Sequence, residues 1–326
     1  RLPESVSLHY ILKMAGTTVK FNNGVECPIL GLGTYLSERG EVGQAVKDAI
    51  DIGYRHFDCA YFYENEKEVG DAIRQKIDEG VVKREDVFIT SKVWNNFHRK
   101  DLAKAALDKT LADLGLEYID LFLVHWPFAY KDGWDMRPLD SSGKVIYSDV
   151  DFVETWKALE ECVRAGKIKS IGLSNFNKEQ ILKILDNAEI RPVNNQVECH
   201  PYLNQSKLIE FCKSKGITVT AYRPISPPDH LSKVSPLNDP VIVKIAQKYN
   251  KSVGQVLIRF QTQRGVIAIP KTVTKKRLAD NFDVFDFVLD NEDMDALLNL
   301  DQGNKGRCVL MPDAVAHKDY PFNAEY

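Results

Sequence analysis

The sequence predicts a closed (β/α)8 barrel, the TIM-barrel fold class, from two observations. First, short apolar runs alternate with amphipathic stretches of helical length from residue 28 onward, and they form eight strand–helix units. Eight such units in roughly 250 residues is the strand count of this barrel. Second, no Gly/Ser-rich linker divides the 326 residues. Composition alone, with 44% apolar and 27% charged residues, indicates a folded chain without choosing between one domain and two.

The strands are predicted from the apolar runs in chain order. A hairpin comes first, because residues 18–21 and 25–28 flank the turn sequence Asn22-Asn23-Gly24, and we expect it to plug one end of the barrel. Strands joined through helices must run parallel, with right-handed crossovers. The eight barrel strands are predicted at residues 29–33, 56–58, 87–91, 119–124, 168–173, 195–198, 218–221 and 266–269.

The helices are predicted from apolar residues that recur near the helical period. In residues 100–114, for example, Leu102, Ala106 and Leu111 share one face of a helix. A last helix closes the pattern before a tail that is rich in turn residues. The predicted helices span residues 42–52, 66–79, 100–114, 152–165, 179–187, 206–214, 241–249, 252–263, 275–282 and 290–300.

The chain ends and the bulk composition exclude several classes of protein. We expect an N-terminal extension at residues 1–17 and a single barrel domain at residues 18–326 that ends in a substrate loop. The net charge of −3 gives no excess of positive charge to attract nucleic acid. No apolar run approaches the ~20 residues of a membrane span. Six cysteines without a C-x-x-C pair predict free thiols in a cytoplasmic protein. Because the chain starts at Arg1, secretion after signal-peptide removal stays an alternative, and the origin of residues 1–13 stays open.

The functional site of such a barrel lies where the strands end and the following loops begin. Asp58, Lys92 and His125 end neighbouring strands, and Tyr63 lies in the loop after Asp58. Each residue alone has an ordinary structural reading, such as a helix cap or a core histidine. The predicted strand ends carry Thr34, Tyr35, Asp58, Lys92, His125, Ser174, Asn175, Glu198, Tyr222 and Lys271.

Together, Asp58, Tyr63, Lys92 and His125 suit protonation of a carbonyl oxygen. Tyrosine is a poor acid at neutral pH, with a reference pKa of ~10. We expect an adjacent Lys92 cation to lower that pKa, Asp58 to keep Lys92 charged, and His125 to orient the carbonyl oxygen. The group that attacks the carbonyl carbon is not among these four residues. The sequence Gly31-Leu32-Gly33 is not a dinucleotide fingerprint, since the third glycine is missing.

Several stretches of the sequence, in the same order along the chain, resemble the aldo-keto reductase family, in its aldose-reductase-like, carbonyl reductase branch. The resemblance runs from about residue 18 to residue 326. It implies a catalytic tetrad of Asp58, Tyr63, Lys92 and His125, with Tyr63 as the acid. It also implies a monomer that reduces small-molecule aldehydes and ketones with NADPH and holds no metal. The matching blocks lie at residues 53–66, 89–94, 123–127, 171–176, 195–202, 269–274 and 317–322.

A basic run at residues 271–277 indicates a bound phosphate. Cations at a helix N-terminus oppose the helix dipole, and an anion bound there would remove the conflict. The resemblance implies that Lys271, Thr272 and Arg277 hold the adenosine 2′-phosphate, which favours NADPH over NADH. Tyr222 is expected to stack on the nicotinamide. The remaining cofactor residues are expected to be Thr34, Tyr35, Asp58, Ser174, Asn175, Gln196, Arg223, Pro224, Ile225, Asp229, Val273, Thr274, Asp280 and Asn281.

Specific roles are expected for some of these residues. Ser174, Asn175 and Gln196 would bond the carboxamide, and the Pro- and Ser-rich segment 223–240 would close over the pyrophosphate. Arg223 departs from the family pattern, in which a small serine commonly follows the stacking tyrosine. We hypothesise from charge complementarity that Arg223 adds a phosphate contact.

The substrate pocket is expected to be aromatic and mostly apolar, which suits aldehydes, ketones or flat polycyclic ketones. Ketosteroids, including 3-keto ecdysteroids, are one substrate class of this kind. Two alternatives remain. One is a nucleotide-binding barrel with little turnover, such as a channel-subunit-like or lens-type relative, and the other is a hydrolase that uses Asp58 and Glu198 or a metal. The expected pocket residues are Tyr35, Phe62, Tyr63, Trp94, His125, Trp126, Val309, Leu310 and Met311.

Overall fold

The structure is a computed structural model that describes residues 17–38, 40–225 and 235–324. Within this part of the chain, twelve strands occur, and eight of them form one parallel sheet. In chain order the strands are β1 (Thr18–Lys20), β2 (Glu26–Pro28), β3 (Leu32–Gly33), β4 (His56–Asp58), β5 (Phe88–Val93), β6 (Ile119–Val124), β7 (Ala129–Tyr130), β8 (Tyr147–Ser148), β9 (Ile168–Ser174), β10 (Asn194–Glu198), β11 (Thr218–Tyr222) and β12 (Ile267–Ala268).

The eight-stranded sheet closes on itself as a barrel. Its order is β3-β4-β5-β6-β9-β10-β11-β12, so neighbours in the sheet follow one another along the chain apart from the short β7–β8 pair. Parallel bridges join Leu30 to Ala268 and Gly33 to Lys271, and they bring the first and last strands together. A Cβ on Gly33 would lie 2.8 Å from the carbonyl oxygen of Ile269, so glycine is needed at this seam. The predicted (β/α)8 barrel is confirmed.

The helices surround the barrel. Four predicted helices have the observed bounds, and the others differ at their ends by one or two residues. In α1, the buried face consists of apolar residues such as Val42, Val46 and Ile50, which pack on the sheet. The helices are α1 (Val42–Ile52), α2 (Glu66–Asp78), α3 (Lys100–Leu114), α4 (Phe152–Arg164), α5 (Lys178–Asn187), α6 (Ser206–Ser214), α7 (Pro240–Tyr249), α8 (Val253–Gln263), α9 (Lys275–Phe282) and α10 (Asn291–Leu298).

The β1–β2 hairpin covers the end of the barrel at which the strands begin. Phe21 and Cys27 are buried there in a cluster with Phe88, the first residue of β5, and Val193, which precedes β10. The Phe21 and Phe88 rings meet edge to face, with centroids 6.0 Å apart. The predicted plug is therefore present, and the opposite end of the barrel is left for the functional site.

A second hairpin, formed by β7 and β8, lies beyond the carboxyl end of β6 and was not predicted. Its strands pair antiparallel, with Ala129 opposite Ser148. Trp94 Nε1 donates to the carbonyl oxygen of Met136 in the hairpin loop at 2.8 Å. Two-residue strands leave no alternation to detect, so the sequence pattern missed this element.

The cysteine side chains and the helix lengths can be read directly from the structure. The side chains of Cys27, Cys59, Cys162, Cys199 and Cys212 are buried free thiols. No helix in residues 17–38, 40–225 and 235–324 combines the length and the apolar character needed to cross a membrane.

Candidate active site

Three of the predicted catalytic side chains meet around one ammonium group. Lys92 Nζ donates to Asp58 Oδ1 at 2.6 Å and to Tyr63 Oη at 3.2 Å. Its third bond goes to the carbonyl oxygen of Cys59 at 2.7 Å. Asp58 ends β4, Lys92 lies in β5, and Tyr63 ends the 3₁₀ turn Tyr61–Tyr63 that follows β4. All three N–H donors of the ammonium are used, so Lys92 is held in one orientation toward the tyrosine hydroxyl.

Buried polar side chains hold this pair of charges in place. Gln196 Nε2 donates to Asp58 Oδ2 at 2.7 Å, and Thr34 Oγ1 donates to the main-chain oxygen of Asp58 at 2.8 Å. Asn65 Nδ2 in turn donates to the main-chain oxygen of Thr34 at 2.9 Å. The side chains of Lys92 and Asp58 are only 1% and 2% exposed. Gln196, which we expected at the cofactor carboxamide, here donates an N–H to the Asp58 carboxylate.

The Tyr63 hydroxyl is kept protonated. Burial raises the pKa of Tyr63 well above its ordinary value of 10, and the Asp58 charge adds to the rise, while Arg223 opposes it. We expected Lys92 to lower this pKa, and burial with Asp58 reverses the net direction. A protonated phenol is the form that a proton donor needs. The hydrogen bond from the Lys92 ammonium would strengthen if the phenol lost its proton, because its acceptor would then be charged.

His125 lies next to Tyr63 and is neutral. Its ring meets the Tyr63 ring edge to face, with centroids 6.0 Å apart. The main-chain N–H of His125 donates to the carbonyl oxygen of Val93 at 3.1 Å. Burial, helped by the Lys92 charge, lowers the pKa of His125 well below its ordinary value. Nδ1 is buried with no hydrogen-bond partner among the described residues, which favours the tautomer that carries its proton on Nε2.

The residues expected on the nicotinamide side form a hydrogen-bonded group. Tyr222 Oη donates to Asn175 Oδ1 at 2.8 Å, and Asn175 Nδ2 donates to the main-chain oxygen of His125 at 3.1 Å. Ser174 Oγ donates to the main-chain oxygen of Gln196 at 3.0 Å. Asn175 has a φ of 61°, a left-handed conformation that asparagine tolerates better than most residues. Strands β9, β10 and β11 thus present one connected polar surface beside the tetrad.

The basic run at residues 271–277 separates into paired and unpaired cations. Lys275 Nζ lies 3.0 Å from Asp48 Oδ1, and Lys276 Nζ lies 2.7 Å from Asp280 Oδ2. These two lysines are therefore neutralised by their neighbours. Asp280, expected near the adenine, instead accepts from a lysine one turn earlier on the same helix.

The three residues expected at the 2′-phosphate are less fully occupied by protein partners than Lys275 and Lys276 are. Arg277 forms no ion pair with any of the described residues. Lys271 Nζ donates to the main-chain oxygen of Leu36 at 3.0 Å, and burial lowers the pKa of this lysine. Thr272 Oγ1 accepts from the main-chain N–H of Thr274 at 3.2 Å, just before α9 begins. Arg277 and Lys271, each without an ion-pair partner among the described residues, keep positive charge that an anion could bind.

Arg223 follows β11 in a left-handed conformation, with a φ of 51°. Its Nη1 atom is buried and has no hydrogen-bond partner among the described residues. The guanidinium charge acts on both Tyr63 and Tyr222, opposing the rise in the pKa of each phenol. Arg223 therefore has an unpartnered N–H donor, and its charge is near enough to Tyr63 and Tyr222 to affect both phenols. Asp229, also expected at the cofactor, lies outside the described residues.

Aromatic rings surround the tetrad as expected for the substrate side. Tyr35 lies 4.9 Å from the Tyr63 ring, between centroids. Phe62 stacks on Trp94 at 3.9 Å, and Trp94 meets His125 edge to face at 5.0 Å. Tyr35, Phe62 and Trp94 thus form a series of ring contacts that begins at Tyr63 and ends at His125.

The other expected pocket residues take different positions. The Trp126 ring packs against Phe128 and Phe322, at centroid distances of 5.3 Å and 5.8 Å, and its side chain is buried in that contact. Leu310 is 48% exposed on the C-terminal tail, and Met311 adopts a φ of 47°. Trp126 therefore contacts the C-terminal tail through its ring, and its place in the substrate pocket stays a prediction.

Glu198 anchors this tail, a role that sequence reasoning missed. Its carboxylate accepts from the main-chain N–H groups of Cys308 and Val309, both at 2.9 Å, and lies 3.1 Å from His200 Nε2. The side chain is fully buried at the end of β10. Both carboxylate oxygens are engaged, so Glu198 is not the second catalytic carboxylate that the hydrolase alternative required. The sequence signal for this role was a glutamate at the end of a buried strand, since a buried carboxylate needs hydrogen-bond donors.

The barrel and its site together define a class of protein: (β/α)8 barrels in which a buried lysine–aspartate pair is hydrogen-bonded to a tyrosine hydroxyl. A family model described as "Aldo/keto reductase family" matches residues 29–302. The chain belongs to the aldo/keto reductase family, and so to the oxidoreductases that act on carbonyl compounds.

Individual relatives and a solved structure agree with this membership. The chain is 47% identical to "Aldo-keto reductase family 1 member C15" of Rattus norvegicus, covering 95% of this chain and 98% of the relative. It is 46% identical to "Estradiol 17 beta-dehydrogenase 5" of Mus musculus, covering 95% and 98%. The "Structure of the Aldose Reductase from Schistosoma japonicum" matches with a TM-score of 0.89 at 45% identity, covering 95% and 99%.

Proposed function

We propose that the protein is an NADPH-dependent reductase that converts aldehydes and ketones to alcohols, with Tyr63 as the proton donor. The observation that carries the proposal is the buried hydrogen bond from Lys92 Nζ to Tyr63 Oη, backed by Asp58 at 2.6 Å. We further propose that it acts as a monomer, through a single domain at residues 18–326.

Each tetrad residue has a separate part in the proton transfer. A carbonyl oxygen that accepts a hydrogen bond from His125 Nε2 would lie next to the Tyr63 hydroxyl, given the edge-to-face rings. As Tyr63 releases its proton, the Lys92 ammonium stabilises the phenolate. Asp58, bonded to Lys92 and to Gln196, keeps the ammonium charged and still. When bound, a reduced nicotinamide supplies the hydride for the carbonyl carbon.

The residues available for that cofactor fit its two charged parts. The orphaned Nη1 of Arg223 offers a donor to the pyrophosphate, and Arg277, with Lys271 and Thr272 nearby, offers charge to the 2′-phosphate. Ser174, Asn175 and Tyr222 would border the nicotinamide ring. These assignments favour NADPH, because a 2′-hydroxyl in place of the phosphate would leave Arg277 without an anion.

The apolar walls favour a flat, mostly apolar carbonyl compound. Tyr35, Phe62 and Trp94 offer ring faces and edges around the proton donor rather than charged groups. A relative at 46% identity bears the name of an estradiol dehydrogenase, which is consistent with polycyclic substrates. We propose ketosteroids, including 3-keto ecdysteroids, as the class to test after simple aldehydes.

An absorbance assay tests the proposed activity directly. The purified protein, mixed with NADPH and a generic aromatic aldehyde, is expected to oxidise NADPH in step with formation of the alcohol. A panel of ketosteroids then follows in the same assay. Binding of NADPH, seen as quenching of tryptophan fluorescence, without oxidation on any carbonyl compound would contradict the proposal. That result would favour the alternative of a nucleotide-binding barrel with little turnover.

Two arginine variants are expected to weaken cofactor binding in different ways. Arg277→Ala should raise the dissociation constant of NADPH about 10- to 100-fold and leave that of NADH unchanged, since a charge-assisted bond contributes about 1.5–3 kcal/mol. Arg223→Ser should weaken NADPH and NADH alike, because both carry the pyrophosphate. Fluorescence titration measures both constants.

Lys276→Ala is the matched control for the arginine variants. It removes one positive charge from the same helix turn, but its ammonium is already paired with Asp280. We expect its two dissociation constants to stay within about twofold of the wild-type values, as for an exposed ion pair. Equal weakening of NADPH by Lys276→Ala and Arg277→Ala would contradict the phosphate assignment.

A further inference from the structure

Glu66 is a buried carboxyl group that the proposed chemistry does not use. It is the first residue of α2, and it is 3% exposed. One of its carboxyl oxygens accepts from Ser91 Oγ, and the other accepts from Thr110 Oγ1 at 3.0 Å. No lysine or arginine of the described residues forms an ion pair with it. A buried carboxyl group with hydroxyl partners alone is costly to ionise, so a role in folding stability is a weak explanation for it.

The position of Glu66 connects the two ends of the Lys92–Tyr63 hydrogen bond. Ser91 directly precedes Lys92 in β5, and alternate strand residues point to opposite faces, so Ser91 faces the helices while Lys92 faces the barrel interior. Glu66 itself lies three residues after Tyr63, where α2 begins. One side chain thus ties the strand that carries the ammonium to the helix that follows the phenol.

We propose that Glu66 is a positioning residue for proton transfer, which sets the separation between Lys92 Nζ and Tyr63 Oη by holding Ser91. The proposal rests on the function proposed above. The separation is 3.2 Å, at the long end of the hydrogen-bond range, so a small shift of β5 relative to α2 would break the contact. Glu66 touches neither substrate nor cofactor, and it acts through the two residues that do the chemistry.

The environment of Glu66 also gives a pH signature. Burial raises its pKa to about 7, against the effect of its two hydroxyl partners. The titratable groups that face it are Lys92 on β5, Asp113 on α3, Cys59 after β4 and Tyr61 on the turn. Because the folded-state pKa is raised, the stabilisation linked to Glu66 is present at low pH and is lost as the pH rises through about 7. Replacement by glutamine is therefore not expected to lower the melting temperature at pH 8.

Three variants separate positioning from structural support. In Glu66→Gln, we expect kcat to fall about 10- to 100-fold, with KM and the NADPH dissociation constant unchanged. In the wild-type protein, kcat is expected to change with pH near 7, where Glu66 titrates. This change should be absent from Glu66→Gln. Ser91→Ala, which removes the contact to the strand of Lys92, should lower kcat in the same direction. Thr110→Val, which removes the other hydroxyl on α3, is the matched control and should keep kcat within about twofold of wild type.

Wild-type protein assayed in parallel tests the proposed carbonyl reduction itself. Failure of that proposal can therefore be distinguished from failure of the positioning role of Glu66. If wild-type protein is active and Glu66→Gln keeps both its kcat and its pH profile, the positioning role is overturned. The positioning role would also be overturned if Ser91→Ala and Thr110→Val lost kcat equally and in proportion to their fall in melting temperature. Glu66 would then only stabilise the fold. Should Glu66→Gln fail to fold, Ser91→Ala decides, and an unchanged kcat in that variant refutes the role.

Discussion

Tyr63→Phe is expected to bind NADPH as tightly as the wild-type protein and to reduce a test aldehyde about 10²- to 10⁴-fold more slowly. The substitution removes one oxygen atom, and with it both the proton donor and the acceptor for Lys92 Nζ at 3.2 Å. The aromatic ring that packs beside His125 and Tyr35 is kept. Steady-state kinetics and fluorescence titration measure the two quantities on the same preparation.

Tyr61→Phe provides a matched control in the same turn. Tyr61 packs edge to face on Phe97 and Trp134, at centroid distances of 5.2 Å and 6.4 Å, and so away from the ammonium. Loss of its hydroxyl should leave kcat near the wild-type value. A Tyr63→Phe variant with near-native turnover would show that another group donates the proton.

Lys92→Met is expected to destabilise the protein by about 3–5 kcal/mol and to abolish carbonyl reduction. The methionine fills a similar volume but leaves Asp58, 2% exposed, without its positive partner. It also removes the only cation that bonds to Tyr63 Oη among the described residues. Chemical denaturation measures the free energy of unfolding, and the aldehyde assay measures the activity.

The double variant Asp58→Asn/Lys92→Met separates the two effects. With neither charge present, no uncompensated carboxylate is buried, and most of the lost stability should return. Activity should stay absent, because the phenolate has no cation to stabilise it. Recovery of reduction in the double variant would mean that Lys92 contributes to folding rather than to proton transfer.

The barrel was predictable because its signals are local. Helices such as α1 and α3 show their period within a dozen residues, and the turn at Asn22-Asn23-Gly24 identifies a hairpin by itself. The tetrad was predictable for a related reason. The fold rule brings strand ends together, so residues far apart in sequence, such as Asp58 and Lys92, could be placed side by side.

What the sequence pattern missed depends on particular long-range contacts. The pKa of Tyr63 is set by how deeply the phenol is buried, which no motif records, and its net direction was therefore predicted wrongly. The assignment of Gln196 to the cofactor carboxamide stays a prediction, and the N–H that it donates to Asp58 is an additional contact that no local pattern indicated. Trp126 was assigned to the substrate walls, which stays a prediction, and no local pattern indicated that its ring also packs on Phe322 of the distant tail.

The contacts of Glu198 bear on how this protein can change over evolution. The carboxylate holds the C-terminal tail through the main-chain N–H groups of Cys308 and Val309. Every residue except proline carries such a group, so the anchor makes no demand on the side chains there. New side chains at these positions can be sampled while the path of the tail is kept.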